Sequence, residues 1–221
     1  MDIVFVVDES SSVKTKEFHK SKKFVTSIVN TMFVSQQYTQ VSLVTFSNQS
    51  YVDLHLNATH NKQELMERIE GIEQEVGVTG THHGLGMVYR ESFKPKNGGG
   101  RKEAVRFLIL ITDGKAEDQE LTLDYAEKLK KSKNVNIFTI GFNKASRKEL
   151  RSIASNKDHF MWKKGADIDY LDDSLRKSVT NQICEGKSDR SLILFNQTLL
   201  FNFQFNPKVQ MNCVCGMTEK C

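Results

Sequence analysis

The chain has 221 residues, 38% hydrophobic and 26% charged, with a formal net charge of +4. That describes a globular chain with enough apolar residues for one large domain, or one domain plus an extension. The lysines are scattered along helix-like segments and no nucleic-acid-binding motif occurs, which argues against a nucleic-acid binder. No apolar run reaches the ~20 residues that span a bilayer, and the first residues read as a core strand, so no signal peptide is expected within the sequence.

The first predicted element is Ile3–Val7, an unbroken apolar and largely β-branched run that suits a strand buried on both faces of a sheet. It ends in Asp8-Glu9-Ser10-Ser11-Ser12. In an extended turn alternate residues point to one side, so Asp8, Ser10 and Ser12 converge just beyond the strand. Three hard oxygen donors suit Mg²⁺, Mn²⁺ or Ca²⁺ better than zinc. Taken alone, the same residues also serve as ordinary turn and capping residues.

Phe18, Val25, Ile28, Val29, Met32 and Phe33 then recur at helical spacing, which predicts a long amphipathic helix. Strands follow at Val41–Phe46 and Tyr51–Leu56, and the short Ser47–Ser50 link makes them an antiparallel hairpin. Asn61 with Glu64 caps a helix that buries Leu65, Ile69 and Ile72. The loop Gly77–Thr81 leads to a helix from His82 to Ser92, and Pro95 with Asn97–Gly100 forms a flexible connector. The second fully apolar strand, Ala104–Thr112, also ends in an aspartate, Asp113. Helix Glu120–Ser132, strand Val135–Phe142, helix Arg147–Ser155 with a Ser146/Glu149 capping box, and strand His159–Trp162 come next. The last helix, Asp169–Ile183, aligns Leu171, Leu175, Val179 and Ile183 on one face.

This alternation predicts an α/β fold with a doubly wound, mostly parallel sheet, one antiparallel edge strand and helices on both faces. Ligands of such sheets bind beyond the C-terminal strand ends where the strand order reverses. If the strands ending in Asp8 and Asp113 are neighbours there, the two carboxylates share one crevice.

The three motifs resemble the von Willebrand factor A domain, also called the integrin I domain, and its metal-ion-dependent adhesion site. Asp8-x-Ser10-x-Ser12 carries the first element, Thr81 in Thr79-Gly80-Thr81-His82-His83-Gly84 the second, and Asp113-Gly114 the third. The resemblance covers residues 3 to about 184, giving a domain at 1–184 and an extension or the start of a disulfide-bearing module at 185–221. It implies that Ser10, Ser12 and Thr81 approach the cation directly, with Asp8 and Asp113 binding directly or through water, and that Mg²⁺ (or Mn²⁺/Ca²⁺) is held there. A cation without an inner carboxylate takes one from a partner. Thr79 is the alternative loop ligand.

Alternation turns Glu9 away from Asp8 and Ser10, toward solvent or a helix N-terminus. His82 and His83 read as exposed first-turn residues, not a metal pair, because helix neighbours diverge by about 100°. Lys14, Lys16 and Lys115 are expected around the mouth. Enzyme readings fail on motif: no dehalogenase-type second Asp, no P-loop and no nucleophile elbow occur, and no general base is evident.

The expected function is therefore a cation-dependent adhesion module that captures an Asp or Glu of a matrix or cell-surface protein. The alternative is a structural or assembly module of a secreted matrix protein with an incidental metal site. Sequons at Asn48, Asn57 and Asn196 fit an extracellular setting, whether secreted or an ectodomain. So does the confinement of all four cysteines, Cys184, Cys213, Cys215 and Cys221, to the C-terminal end. In the family a cysteine after the last helix, the place Cys184 holds, often pairs with the N-terminal flank. No cysteine precedes Cys184 here, so it is expected to be unpaired or paired within the tail. Leu192–Phe195 and Thr198–Phe205 read as strands of a short hairpin.

Overall fold

The computed structural model describes residues 1–184; the expected tail strands, Asn196, Cys213, Cys215 and Cys221 lie outside the described residues. Its framework is a six-stranded sheet in the order β3-β2-β1-β4-β5-β6. The strands are β1 (Asp2–Asp8), β2 (Gln40–Phe46), β3 (Ser50–Leu54), β4 (Arg106–Thr112), β5 (Val135–Gly141) and β6 (Phe160–Trp162). All neighbours pair in parallel except β2 and β3. The antiparallel pair is the hairpin that the short link demands, and it lies at the sheet edge. The reversal of strand order falls between β1 and β4, as expected.

Each central strand is buried on both faces, which explains why its sequence is apolar without alternation. Ile3, Phe5, Val7, Phe107, Ile109 and Ile111 point to one side. There they meet α1 (Thr15–Asn30), α2 (Lys62–Glu70) and the last helix, α6, over 173–184. Val4, Val6, Leu108 and Leu110 point to the other side. That face is covered by α3 (Thr81–Met87), α4 (Gln119–Lys133) and α5 (Arg147–Ile153). Alternate residues of one strand therefore serve two separate cores.

Side-chain caps set several boundaries. Asn61 accepts from the Glu64 N–H at 3.2 Å to start α2, and Asp118 accepts from Leu121 at 2.9 Å to start α4. Asp172 accepts from the Leu175 N–H at 2.9 Å, so α6 begins at residue 173 after a 3₁₀ turn at Ile168–Tyr170, later than expected. Leu171, Leu175, Val179 and Ile183 are nevertheless buried together. The helix expected to run from His82 to Ser92 is α-helical only to Met87 and closes in a wider π turn at Val88–Ser92.

Two expectations need correction and a third is narrowed. Phe33 is not on the buried face of α1: the helix ends at Asn30, and Phe33 is 53% exposed, edge-on to Tyr38. The connector at Pro95–Gly100 is pinned in place. Asn97 is buried with its amide donating to Glu91 O at 2.9 Å, and Arg101 just beyond pairs with the fully buried Asp2. Cys184 is buried and disulfide-bonded, which rules out the unpaired alternative.

Phe5 is fully buried at the centre of the sheet, whereas Phe33 is not. Phe5→Ala is expected to cost about 3–5 kcal/mol of unfolding free energy, and Phe33→Ser within about 0.5 kcal/mol. Urea denaturation of the two variants checks this; equal losses would misplace the core.

Candidate metal centre

β1 and β4 run side by side in register, with Val7 opposite Ile111, so Asp8 and Asp113 emerge together at one sheet edge. Asp8 is 2% exposed and both its oxygens are occupied. One accepts from the Ser10 N–H at 2.9 Å and the other from the Thr112 hydroxyl at 2.6 Å. These bonds curl the chain so that Ser10 and Ser12 turn back over the strand end. Their hydroxyls are 3.1 Å apart. Ser10 Oγ is also 3.1 Å from Thr79 Oγ1, and Ser12 Oγ donates to Asp113 Oδ1 at 2.5 Å. Thr79, Ser10, Ser12 and Asp113 thus form one continuous chain of oxygens.

Backbone bonds hold the loops that carry this chain. The Ser11 N–H donates to Gly77 O at 2.7 Å and the Glu117 N–H to Thr79 O at 3.1 Å, tying the threonine loop to both aspartate loops. The Lys144 N–H donates to Asp113 O at 2.9 Å. A Cβ on Gly114 would stand 3.0 Å from Thr79 Oγ1, close enough that the threonine would have to shift by a few tenths of an ångström.

Burial raises the Asp8 carboxyl from its ordinary 3.8 to about 6, against the pull of its Ser10 and Thr112 hydrogen bonds. Burial also raises Asp113. Two desolvated carboxylates on one edge carry an electrostatic cost that a cation would relieve. The donors are hydroxyls and carboxylates with lone pairs left over, so the set fits a hard divalent cation. Among the described residues no three His, Cys, Asp or Glu converge on a point, so hydroxyls must make up the donor count. Asp8 and Ser10 form a buried floor, and Ser12 is exposed at the rim.

The structure brings together Asp8, Ser10, Ser12 and Asp113, and the threonine hydrogen-bonded to Ser10 is Thr79, the alternative loop ligand. Thr81 is the first residue of α3, where its buried hydroxyl makes no hydrogen bond. Glu9 does point away from Asp8, yet it is only 1% exposed rather than solvated. The 73–79 segment covers it, and it accepts from the Glu75 N–H at 2.9 Å; burial raises its carboxyl to about 7. His82 and His83 are half-buried, with ring centroids 3.9 Å apart, and desolvation lowers His83. Lys14 and Lys115 are exposed on the loops after the two aspartate strands, and Lys16 is exposed in the first turn of α1.

Glu149 has a role that local sequence signals hid. Ser146 accepts from its N–H at 3.4 Å, which is half of the expected capping box. The carboxylate, however, crosses to the loop after Asp113. It accepts from the Ala116 N–H at 3.1 Å and from Gln119 at 3.1 Å. A buried carboxylate on α5 thereby braces the metal-side loop. Only the strand order, not the spacing of residues along the chain, brings the two together.

Because the fold keeps a proton on Asp8 up to about pH 6 and the unfolded chain releases it near 3.8, the metal-free protein loses stability as pH rises through that window. Asp8→Asn, neutral throughout, is expected to be more stable than the native chain at pH 7 in chelator, by up to about 3 kcal/mol. The two should converge near pH 4. Saturating Mn²⁺ should stabilise the native chain and leave Asp8→Asn unmoved. Thermal unfolding with and without Mn²⁺ at both pH values reads these differences.

A sequence profile of the von Willebrand factor type A domain matches residues 2–174. The Mus musculus collagen alpha-4(VI) chain is 28% identical over 186 residues, covering 84% of this chain and 8% of its own. Mus musculus matrilin-1 is 30% identical over 185 residues, covering 83% of this chain and 36% of its own. Among solved structures, proximal thread matrix protein 1 from the mussel byssus superposes with a TM-score of 0.75 at 26% identity, over 81% of this chain and 47% of that one. Another structure of that protein has a zinc-occupied adhesion-site motif and superposes with a TM-score of 0.73. The chain thus spans a small part of the collagen and about a third of matrilin-1. Motif order, sheet topology and these matches agree: the chain belongs to the von Willebrand factor type A domain family.

Proposed function

We propose that the chain is a cation-dependent adhesion module of an extracellular protein. Ser10, Ser12 and Thr79 bind the ion directly, and Asp8 and Asp113 support it from behind hydrogen bonds. The observation that carries this reading is the oxygen chain Thr79–Ser10–Ser12–Asp113, with successive separations of 3.1, 3.1 and 2.5 Å. When bound, Mg²⁺ or Mn²⁺ supplies a positive charge that neutral hydroxyls leave largely unspent. The Ser10 N–H and the Thr112 hydroxyl occupy the oxygens of Asp8, keeping that carboxylate at the floor. The exposed rim at Ser12 is where an Asp or Glu of a matrix or cell-surface partner enters. The reading is non-catalytic: the ion's charge serves to hold a partner's carboxylate, not to activate a water.

A second reading is favoured by the names of the relatives, which are collagens, matrilin and a byssal thread matrix protein. In that case the module builds matrix through other faces and the ion is incidental. Partner binding that survives chelation would favour it.

Thr79→Val removes a ligand and is expected to weaken Mn²⁺ binding at least about tenfold, or 1.4 kcal/mol. Thr81→Val removes a buried hydroxyl that has no hydrogen bond, so Mn²⁺ affinity should hold and stability should stay level or rise. Calorimetric titration of both variants decides the ligand set; the reverse order of effects would restore Thr81 as the ligand.

A further inference from the structure

Asn48-Gln49-Ser50 forms the tip of the β2–β3 hairpin, and the side chains of Asn48 and Gln49 are exposed. Asn48 Oδ1 faces the threonine loop: a Cβ on Gly77 would lie 2.2 Å from it, and Ser47 Oγ is 3.3 Å away. The amide nitrogen makes no hydrogen bond among the described residues. Asn57 differs. Its amide donates to Lys96 O at 3.1 Å, and its backbone nitrogen would be 2.8 Å from a Cβ on Gly98.

The surroundings of Asn48 are unusual in a second, independent way. Val76, Val78 and Tyr51 are 69%, 51% and 40% exposed, and they make up three of the six exposed large apolar side chains among the described residues. Val76 and Val78 flank the Gly77 that Asn48 touches, and the Tyr51 hydroxyl donates to Oε1 of Gln49, the next residue after Asn48, at 2.8 Å. An apolar patch at the rim of a polar site needs a cover, and the C–H face of a sugar ring is one that suits both valine and tyrosine.

We propose that Asn48 is an N-glycosylation site whose glycan covers this patch and stands on the rim of the metal centre. The proposal rests on the extracellular reading above, and not on metal binding. The co-reactant is a lipid-diphosphate-linked oligosaccharide of the secretory pathway. Asn48 Nδ2 attacks the anomeric carbon, a C–N bond forms, the C–O bond to the diphosphate breaks, and the amide gives up one proton as the lipid diphosphate leaves. The hairpin tip lies on the β2–β3 side of Asp8 and Asp113, whereas Asn143 approaches Asp113 from beyond β5. A glycan at Asn48 therefore closes the approach over Val76 and Val78, and partners reach Ser12 from the Asn143 side.

The test is secretion of the full chain from eukaryotic cells, release of glycans by peptide N-glycosidase in heavy-oxygen water, and peptide mass spectrometry. Asn48 is expected to appear as heavy-oxygen aspartate. An unlabelled Asn48 overturns the proposal whatever happens at Asn57. Label at Asn57 alone leaves the extracellular reading intact, and label at neither counts against that reading as well. Mn²⁺ titration of the same material reports separately on the metal site. The secreted Asn48→Gln protein should retain its Mn²⁺ affinity and bind several times more anilinonaphthalene sulfonate than the glycosylated protein. Equal dye binding would show that the glycan does not cover the patch.

Discussion

The structure turns on two carboxylates taken out of water at the ends of adjacent strands. Parallel pairing of β1 with β4 leaves no freedom over where Asp8 and Asp113 go: both finish at the edge where the strand order reverses. Apolar burial on both faces of those strands is what makes the edge so dry, and dryness raises Asp8 to about 6. The cores and the site are therefore one arrangement. The residues that stabilise the sheet also create the electrostatic cost that a cation removes.

Around that pair the loops are tied to one another more than to the helices. Gly77 O binds Ser11, Thr79 O binds Glu117, and Asp113 O binds Lys144. Two helices add tethers: Glu149 of α5 accepts from the Ala116 N–H, and Glu17 of α1 accepts from the Asn143 amide at 3.1 Å. A change at any one loop is carried to the others through these bonds, because every bond removed leaves a partly buried donor or acceptor exposed to its full desolvation cost.

Most of the fold could be read from the sequence because its signals are local. Continuous apolar runs marked Ile3–Val7 and the strand before Asp113, the short link marked the antiparallel hairpin, and Asn61 marked the start of α2. What the local signals missed was mostly decided by neighbours distant in sequence. Thr79 reaches Ser10 while Thr81 starts α3 with a buried hydroxyl that makes no hydrogen bond, a difference that no local signal shows. The alternation that turned Glu9 away from Asp8 held, but nothing local showed that the 73–79 segment would cover it. Glu149 had the spacing of a cap and used its carboxylate elsewhere. Phe33 kept helical spacing past the point where the helix stops.

The central claim is that one divalent cation belongs among the hydroxyls of Ser10, Ser12 and Thr79. The most direct measurement is a crystal of the metal-free protein soaked in Mn²⁺, with data collected at the manganese absorption edge. The account predicts a single strong anomalous peak within bonding distance of those three oxygens, with Thr81 outside its coordination shell. A peak bonded to Thr81 or Glu9, or no peak at this edge of the sheet, would contradict it.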